Sequence, residues 1–329
     1  MLSFVMITLA VYFFHSQNTT HKPIQSSSTT YLYETVTAPI QPIPTIKSID
    51  SHWLALGKKL FNSALLSKDN TISCASCHKM EHGGADNLQL SVGIDGNIGT
   101  RNSPSVLNSV FNFRQFWDGR SHDLSAQMSE PIHNPVEMGS SWAEIITKLE
   151  NDNLFSNDFY QLSPKGITRA NIIRAITIYE ESLITPNAPI DLYLKGNLDA
   201  LTSQQKIGYK KFVSFGCVSC HQGLNIGGNL YQKIGRVDSI PSHLALDLGR
   251  YEFTLNENDK NVFKVPSLRN VALTAPYFHD GSVPDLETAI MIMAQGQLGM
   301  SLSEEDIQDI KSLLQAFTGE LASLPEAES

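Results

Sequence analysis

The chain has 329 residues, enough for two ordinary domains. Its 24 basic and 33 acidic residues give a net charge of -9, and nothing in that balance resembles a basic nucleic-acid footprint. A hydrophobic content of 41% is normal for a globular protein and excludes a polytopic membrane protein.

Residues Leu2 to Phe14 are almost wholly apolar, and the first lysine is Lys22. The run is short for a full span, which needs roughly 20 residues. It lacks a basic n-region and an A-x-A cleavage site. Residues 1–15 are therefore expected to be an uncleaved signal-anchor or a cleaved signal peptide, with a buried core segment as the third reading. Residues 16–49 shift to Ser, Thr, Pro, Gln and Asn, as in Ser26-Ser27-Ser28-Thr29-Thr30. Such a segment buries too little to offset its ordering entropy, and it reads as a disordered tether.

Ordered structure is expected from Asp50. Leu54, Gly57, Leu60, Phe61 and Leu65 fall on one helical stripe that leads into Cys74-Ala75-Ser76-Cys77-His78. C-x-x-C-H is the attachment signal for c-type haem. Two cysteines three apart reach two vinyl groups of one porphyrin, and the following histidine is held beneath the iron. Gly83-Gly84 and Gly93 to Gly99 mark loops. Ser141-Trp142-Ala143-Glu144 is a capping box. Ile172, Ile173, Ile176, Tyr179 and Leu183 make an amphipathic helix ended by Pro186 and Pro189. That stretch divides the chain into domains at 50–188 and 189–329. Thr202 with Gln205 caps the helix expected to carry the second motif, Cys217-Val218-Ser219-Cys220-His221. Ser303 caps a last helix with Ile307, Ile310, Leu314 and Phe317 inward. Alternating strand patterns are few, so the expected class is all-α.

The two motifs contain all four cysteines. Zinc bound by both pairs is the rival, but each pair is followed directly by His. Between and after them lies an internal repeat. Pro104-Ser105, Asn108, Phe116, Asp118-Gly119 and Asp123-Leu124 recur as Pro266-Ser267, Asn270, Phe278, Asp280-Gly281 and Asp285-Leu286, every pair offset by 162. Two domains of common design, each with a covalent haem c, follow from this. A methionine opposite the histidine would close the iron and raise its potential. Met291, Met293 and Met300 follow His221, and Met293 lies on one face with Leu286, Ala289, Ile290 and Gln297.

Several further motifs are specific: Gly83-Gly84-Ala85-Asp86-Asn87, Arg101-Asn102-Ser103-Pro104, Phe116-Trp117-Asp118-Gly119-Arg120, Pro135-Val136-Glu137-Met138, Lys264-Val265-Pro266-Ser267-Leu268-Arg269-Asn270 and Pro276-Tyr277-Phe278-His279-Asp280-Gly281. On these the chain resembles the bacterial dihaem cytochrome c peroxidases from about residue 52 to 318. The resemblance implies that His78 holds a peroxidatic iron, whereas His221 and Met293 hold an electron-relay iron. It implies that Glu137 is the distal acid–base carboxylate, Gln127 a distal amide and Trp117 the aromatic between the haems. Asn102, with the main chains of Thr274 and Pro276, matches a calcium site.

The chain departs from many of these proteins at one place. The loop histidine that caps the peroxidatic iron sixteen residues beyond the proximal one is here Ile94. The expectation is a peroxidatic haem that rests five-coordinate or water-bound, with a cap from His133 as the alternative. The implied activity is reduction of hydrogen peroxide to water with electrons from a small cytochrome c or a cupredoxin. The implied setting is the periplasm, as a homodimer, with a possible inner-membrane tether through residues 1–15. Two alternatives stand beside it: a dihaem oxidase of protein-bound residues, which has Tyr where Met293 lies, and a non-catalytic electron-transfer cytochrome.

Overall fold

A computed structural model describes residues 29–34 and 38–324. Residues 1–15, expected as an anchor or signal, lie outside them. Among the described residues no helix is long and apolar enough to cross a membrane.

The elements run β1 (Thr30–Leu32), β2 (Thr45–Ser48), α1 (Ser51–Phe61), α2 (Cys74–Cys77), α3 (Leu124–Gln127), α4 (Ser129–His133), α5 (Trp142–Glu150), α6 (Asn153–Leu162), α7 (Arg169–Ser182), α8 (Pro189–Leu194), α9 (Ser203–Ser214), β3 (Tyr231–Lys233), α10 (Tyr251–Thr254), β4 (Val262–Lys264), α11 (Leu286–Met293) and α12 (Glu304–Gln315). The fold is rich in helix, as expected. Two small antiparallel pairs, β1–β2 and β3–β4, are additions to the all-α reading.

The expected caps are in place. Glu144 N donates to Ser141 Oγ over 3.3 Å, and Gln205 N to Thr202 Oγ1 over 3.2 Å. Asp306 N donates to Ser303 Oγ over 3.2 Å. Each satisfies an amide that the first turn leaves without an intrahelical partner. Pro189 does not end a helix; it opens α8 at its first turn, where a missing N–H costs nothing. The second haem motif is likewise not carried on α9. It follows in a short 3-10 turn, Cys217–Ser219, beyond Gly216 at φ 93°.

Two helix pairs form the cores. In the first, Gly57 of α1 lies against α7, where a methyl group would collide with the Ala175 carbonyl. In the second, Gly208 of α9 lies equally close to the Asp309 carbonyl of α12. Leu56, Leu60, Phe61, Ile172 and Ile176 fill the first core; Phe212, Ile310, Leu313 and Phe317 fill the second.

The expectation of a disordered tether fails for its described part. Ile40 and Ile43 are 0% exposed, Ile40 within the second core and Ile43 beside Ile184. Gln41 N donates to Gly223 O over 3.1 Å, and Gly223 N to Pro39 O over 2.8 Å. Arg269 Nη2 donates to Gln41 O over 2.8 Å. This strap is ordered by contacts with residues 141 to 228 positions away, which no local composition reveals.

Positions 162 apart make reciprocal contacts between the halves. Asn102 N donates to His279 O over 2.8 Å, and Lys264 N donates to Trp117 O over 2.7 Å. Asn108 and Asn270 both adopt φ 60° and both donate Nδ2 to Thr185 Oγ1, over 2.8 and 3.0 Å. Phe116 and Phe278 share a left-handed φ, 67° and 69°.

Candidate haem sites

Around the first motif, Ser73 and Ser76 cap the single turn of α2, with Ser73 N donating to Ser76 Oγ over 3.0 Å. His78 follows at its C-terminal end. Its Nδ1 lies 3.2 Å from Gly84 O, which fixes the ring and leaves Nε2 as the nitrogen for iron. Phe61 packs 6.5 Å from the His78 ring and is itself held edge-on by Tyr179. Burial lowers the His78 pKa, favouring the neutral imidazole that a ligand requires.

The second motif repeats the device. His221 Nδ1 lies 3.3 Å from Ile226 O, and burial pushes its pKa down to about 4. The carbonyls that hold the rings have matching partners: Gly84 O accepts from Val106 N over 3.1 Å, and Ile226 O from Leu268 N over 3.2 Å. Val106 and Leu268 are again 162 apart.

A cavity of about 300 Å³, at the small end of ligand sites, is lined by Cys217, Cys220, His221 and Met293. Met293 ends α11 just before a π-helical turn, Ala294–Leu298. Met291 is 46% exposed on another face, and Met300 is not in the lining. The structure thus brings together the four second-site residues expected from the sequence. Apolar walls, a cysteine pair, a fixed imidazole and a thioether in one cavity fit a covalent haem. They do not fit zinc: among the described residues no group of three or more His, Cys, Asp or Glu can hold a metal ion.

Trp117 stands between the halves. Its Nε1 donates to Asn102 O over 2.9 Å, and its ring meets His279 edge-on at 6.3 Å. It packs in one apolar cluster with Met293 and Phe278.

Glu137 lies in the turn after α4. Asn134 builds that turn: its carbonyl accepts from Glu137 N over 3.0 Å and from Gly139 N over 2.9 Å, and its Nδ2 donates to Glu137 Oε1 over 2.6 Å. Burial raises the Glu137 pKa, while the Asn134 bond and the Arg120 charge oppose that rise and Glu130 adds to it. Beside it, a crevice is lined by Arg120, Ser129, Glu130, His133 and Asn134. Gln127 ends α3, whose Ser125 is tied to Thr177 of α7 over 3.1 Å.

Ile94 is 4% exposed and packs into the Glu137 turn. Its N–H donates to Glu137 O over 2.9 Å, and its Cδ1 occupies the space beside Gly139. His133 is exposed, with its ring edge-on to Trp142 at 6.1 Å.

Asn102, Thr274 and Pro276 line the same cavity as His221 and Met293. Asn102 commits Nδ2 to Leu88 O and Gln89 O, over 2.9 and 3.3 Å, so its Oδ1 is the atom left for a hard cation.

Sequence reasoning missed three residues here. Asn134 had a signal, since Asn-Pro initiates turns and this one comes three residues before Glu137. Lys264, buried with its pKa pushed down to about 8 by desolvation, and His279 had only their motifs.

Comparison with known proteins agrees with this geometry. The family model described as "Di-haem cytochrome c peroxidase" matches residues 51–199. The chain is 45% identical over 284 residues to cytochrome c peroxidase Ccp of Escherichia coli, covering 85% of this chain and 61% of that one. It is 42% identical over 300 residues to cytochrome c551 peroxidase of Pseudomonas aeruginosa, covering 88% and 86%. A solved MauG-like protein associated with microbial copper homeostasis superposes with a TM-score of 0.75 at 26% identity, covering 88% of this chain and 96% of that one.

Proposed function

Because this chain belongs to the di-haem cytochrome c peroxidase family, we propose that it reduces hydrogen peroxide to water with electrons from a small cytochrome c or cupredoxin. The balance is one peroxide, two protons and two electrons to two waters. The observation that carries the reading is the contrast across the two histidines: a thioether shares the cavity of His221, and a half-buried carboxylate lies on the His78 side.

Two haem groups, attached at Cys74/Cys77 and Cys217/Cys220, would supply the redox chemistry. His221 and Met293 would hold the relay iron, and His78 the peroxidatic iron. Glu137 takes the proton from one peroxide oxygen and returns it to the leaving oxygen. Asn134 holds Oε1, which leaves Oε2 for that transfer. Gln127 donates to the bound peroxide. Trp117, fixed by its bond to Asn102, conducts between the sites. Asn102 Oδ1 and the main chains of Thr274 and Pro276 would bind calcium at the junction. Ile94, buried where a capping histidine would reach over, leaves the His78 site open at rest. The halves are read as duplicates, the repeat at offset 162 and its reciprocal bonds supporting this. Two haem-attachment motifs support a periplasmic setting, and the family resemblance favours a homodimer.

A high-valent oxidase of a protein substrate is disfavoured by Met293, and a purely electron-carrying cytochrome by Ile94 and Glu137. Steady-state peroxide turnover with a reduced cytochrome, compared with Glu137→Ala, tests the reading. Undiminished turnover in that variant would remove Glu137 from the mechanism.

A further inference from the structure

We propose that Lys264 and His279 form a carboxylate-anchoring site in the wall of the His221–Met293 cavity, taking a propionate of the haem seated there. The inference rests on the di-haem reading above.

Lys264 is 6% exposed, and its ammonium makes no hydrogen bond or ion pair among the described residues. The nearest charge acting on it, Asp118, is already taken by Arg101 over 2.5 Å and by Arg120 over 2.9 Å. The guanidinium of Arg269, on the same wall, is already engaged: ion-paired with Asp191 over 2.7 Å and donating to Leu224 O over 3.0 Å and to Gln41 O. Lys264 is therefore the one uncommitted cationic side chain of this wall among the described residues. A buried cation is costly unless it is paired.

His279 is 2% exposed and cannot turn away. It stacks on Phe263 at 4.3 Å and 16°, with Trp117 at its edge. Its ring bonds the Leu244 main chain, while Nε2 is buried and has no partner. Both residues line the cavity that holds Cys217, Cys220 and Met293.

The repeat sharpens the point. At an offset of 162, Lys264 corresponds to Asn102 and His279 to Trp117. In the first half those side chains are satisfied by main-chain carbonyls, Trp117 Nε1 donating to Asn102 O and Asn102 Nδ2 to Leu88 O. In the second half the same two places carry an ammonium that lacks an acceptor and an imidazole nitrogen that lacks a partner. An unpaired ammonium and an unpaired imidazole nitrogen, beside apolar side chains such as Leu286, Ile290 and Leu314, call for an anion of the ligand itself, whose charge would also hold a proton on His279 Nε2. A porphyrin propionate is that anion.

Resonance Raman spectra of the holoprotein report the propionate bending bands directly. Lys264→Met and His279→Phe should each shift the band of one haem, and Lys264→Arg should restore it. Loss of the paired cation in Lys264→Met should also weaken reduction of the His221 haem about tenfold, about 59 mV for one electron. Unmoved bands in both Lys264→Met and His279→Phe, with two haems bound, would overturn the anchor alone. A single haem in the unaltered protein would overturn the di-haem reading and the anchor with it. Should Lys264→Met fail to mature, His279→Phe and Lys264→Arg still decide the matter.

Discussion

The His78 and His221 halves orient their histidines by the same device and then diverge. Each ring is held by a carbonyl, Gly84 O or Ile226 O, and each carbonyl is braced by an amide of the repeat. Each half then starts a helix under an aspartate cap, Asp123 for α3 and Asp285 for α11. α11 runs eight residues to Met293, whereas α3 stops after four. Carried on at the same offset of 162, the counterpart of Met293 is Pro131 in α4. A proline offers no ligand atom and interrupts the helix, and the chain then enters the turn that presents Glu137. The two halves thus part at one place in the repeat, where one carries Met293 at the end of α11 and the other carries Pro131 ahead of the Glu137 turn.

The largest expected effect breaks this contrast on the open side. Glu137→Ala should lower kcat/KM for peroxide by about 10²–10⁴-fold, the usual range for an acid–base group, measured by steady-state turnover with binding of both haems checked. Next comes a feature that the first half lacks. Arg269 corresponds to Leu107, and the Arg269–Asp191 pair is fully buried. Asp191→Ala should cost about 3–5 kcal/mol by leaving a buried cation uncompensated, seen as a lower urea midpoint.

A smaller effect sharpens the role of the Glu137 turn. Asn134→Ala removes a bond to the ionised carboxylate, worth about 1.5–3 kcal/mol. The Glu137 pKa should rise further, so the acid limb of kcat/KM moves to higher pH and cyanide association at neutral pH slows. An unshifted limb would assign Asn134 to the fold alone.

The smallest effect concerns Glu180 at the end of α7, whose pKa burial pushes up to about 8, with Glu181 adding to the rise. Folded protein keeps that proton where the unfolded chain, near 4.5, has lost it. Stability should therefore fall as pH rises from about 5 to 8. Glu180→Gln should flatten that decline in denaturant titrations.

Much of this was legible in the sequence because it is local. Caps at Ser141, Thr202 and Ser303 depend on the next turn, and the haem motifs on five residues. The repeat exposed Asn108 and Asn270, though not that both would meet at Thr185. The strap was misread because Ile40 and Ile43 are isolated among prolines, and their burial comes from the distant second half. Pro189 was read as a stop because a proline bounds a helix at either end. Lys264 and His279 became informative only once their missing partners could be seen.

The central claim is that one haem is closed and the other open. The most direct test is a room-temperature absorption and spin-resonance spectrum of the fully oxidised protein. The account predicts one low-spin haem with the methionine signature and one high-spin haem. Two low-spin haems, one of them bis-histidine, would contradict it.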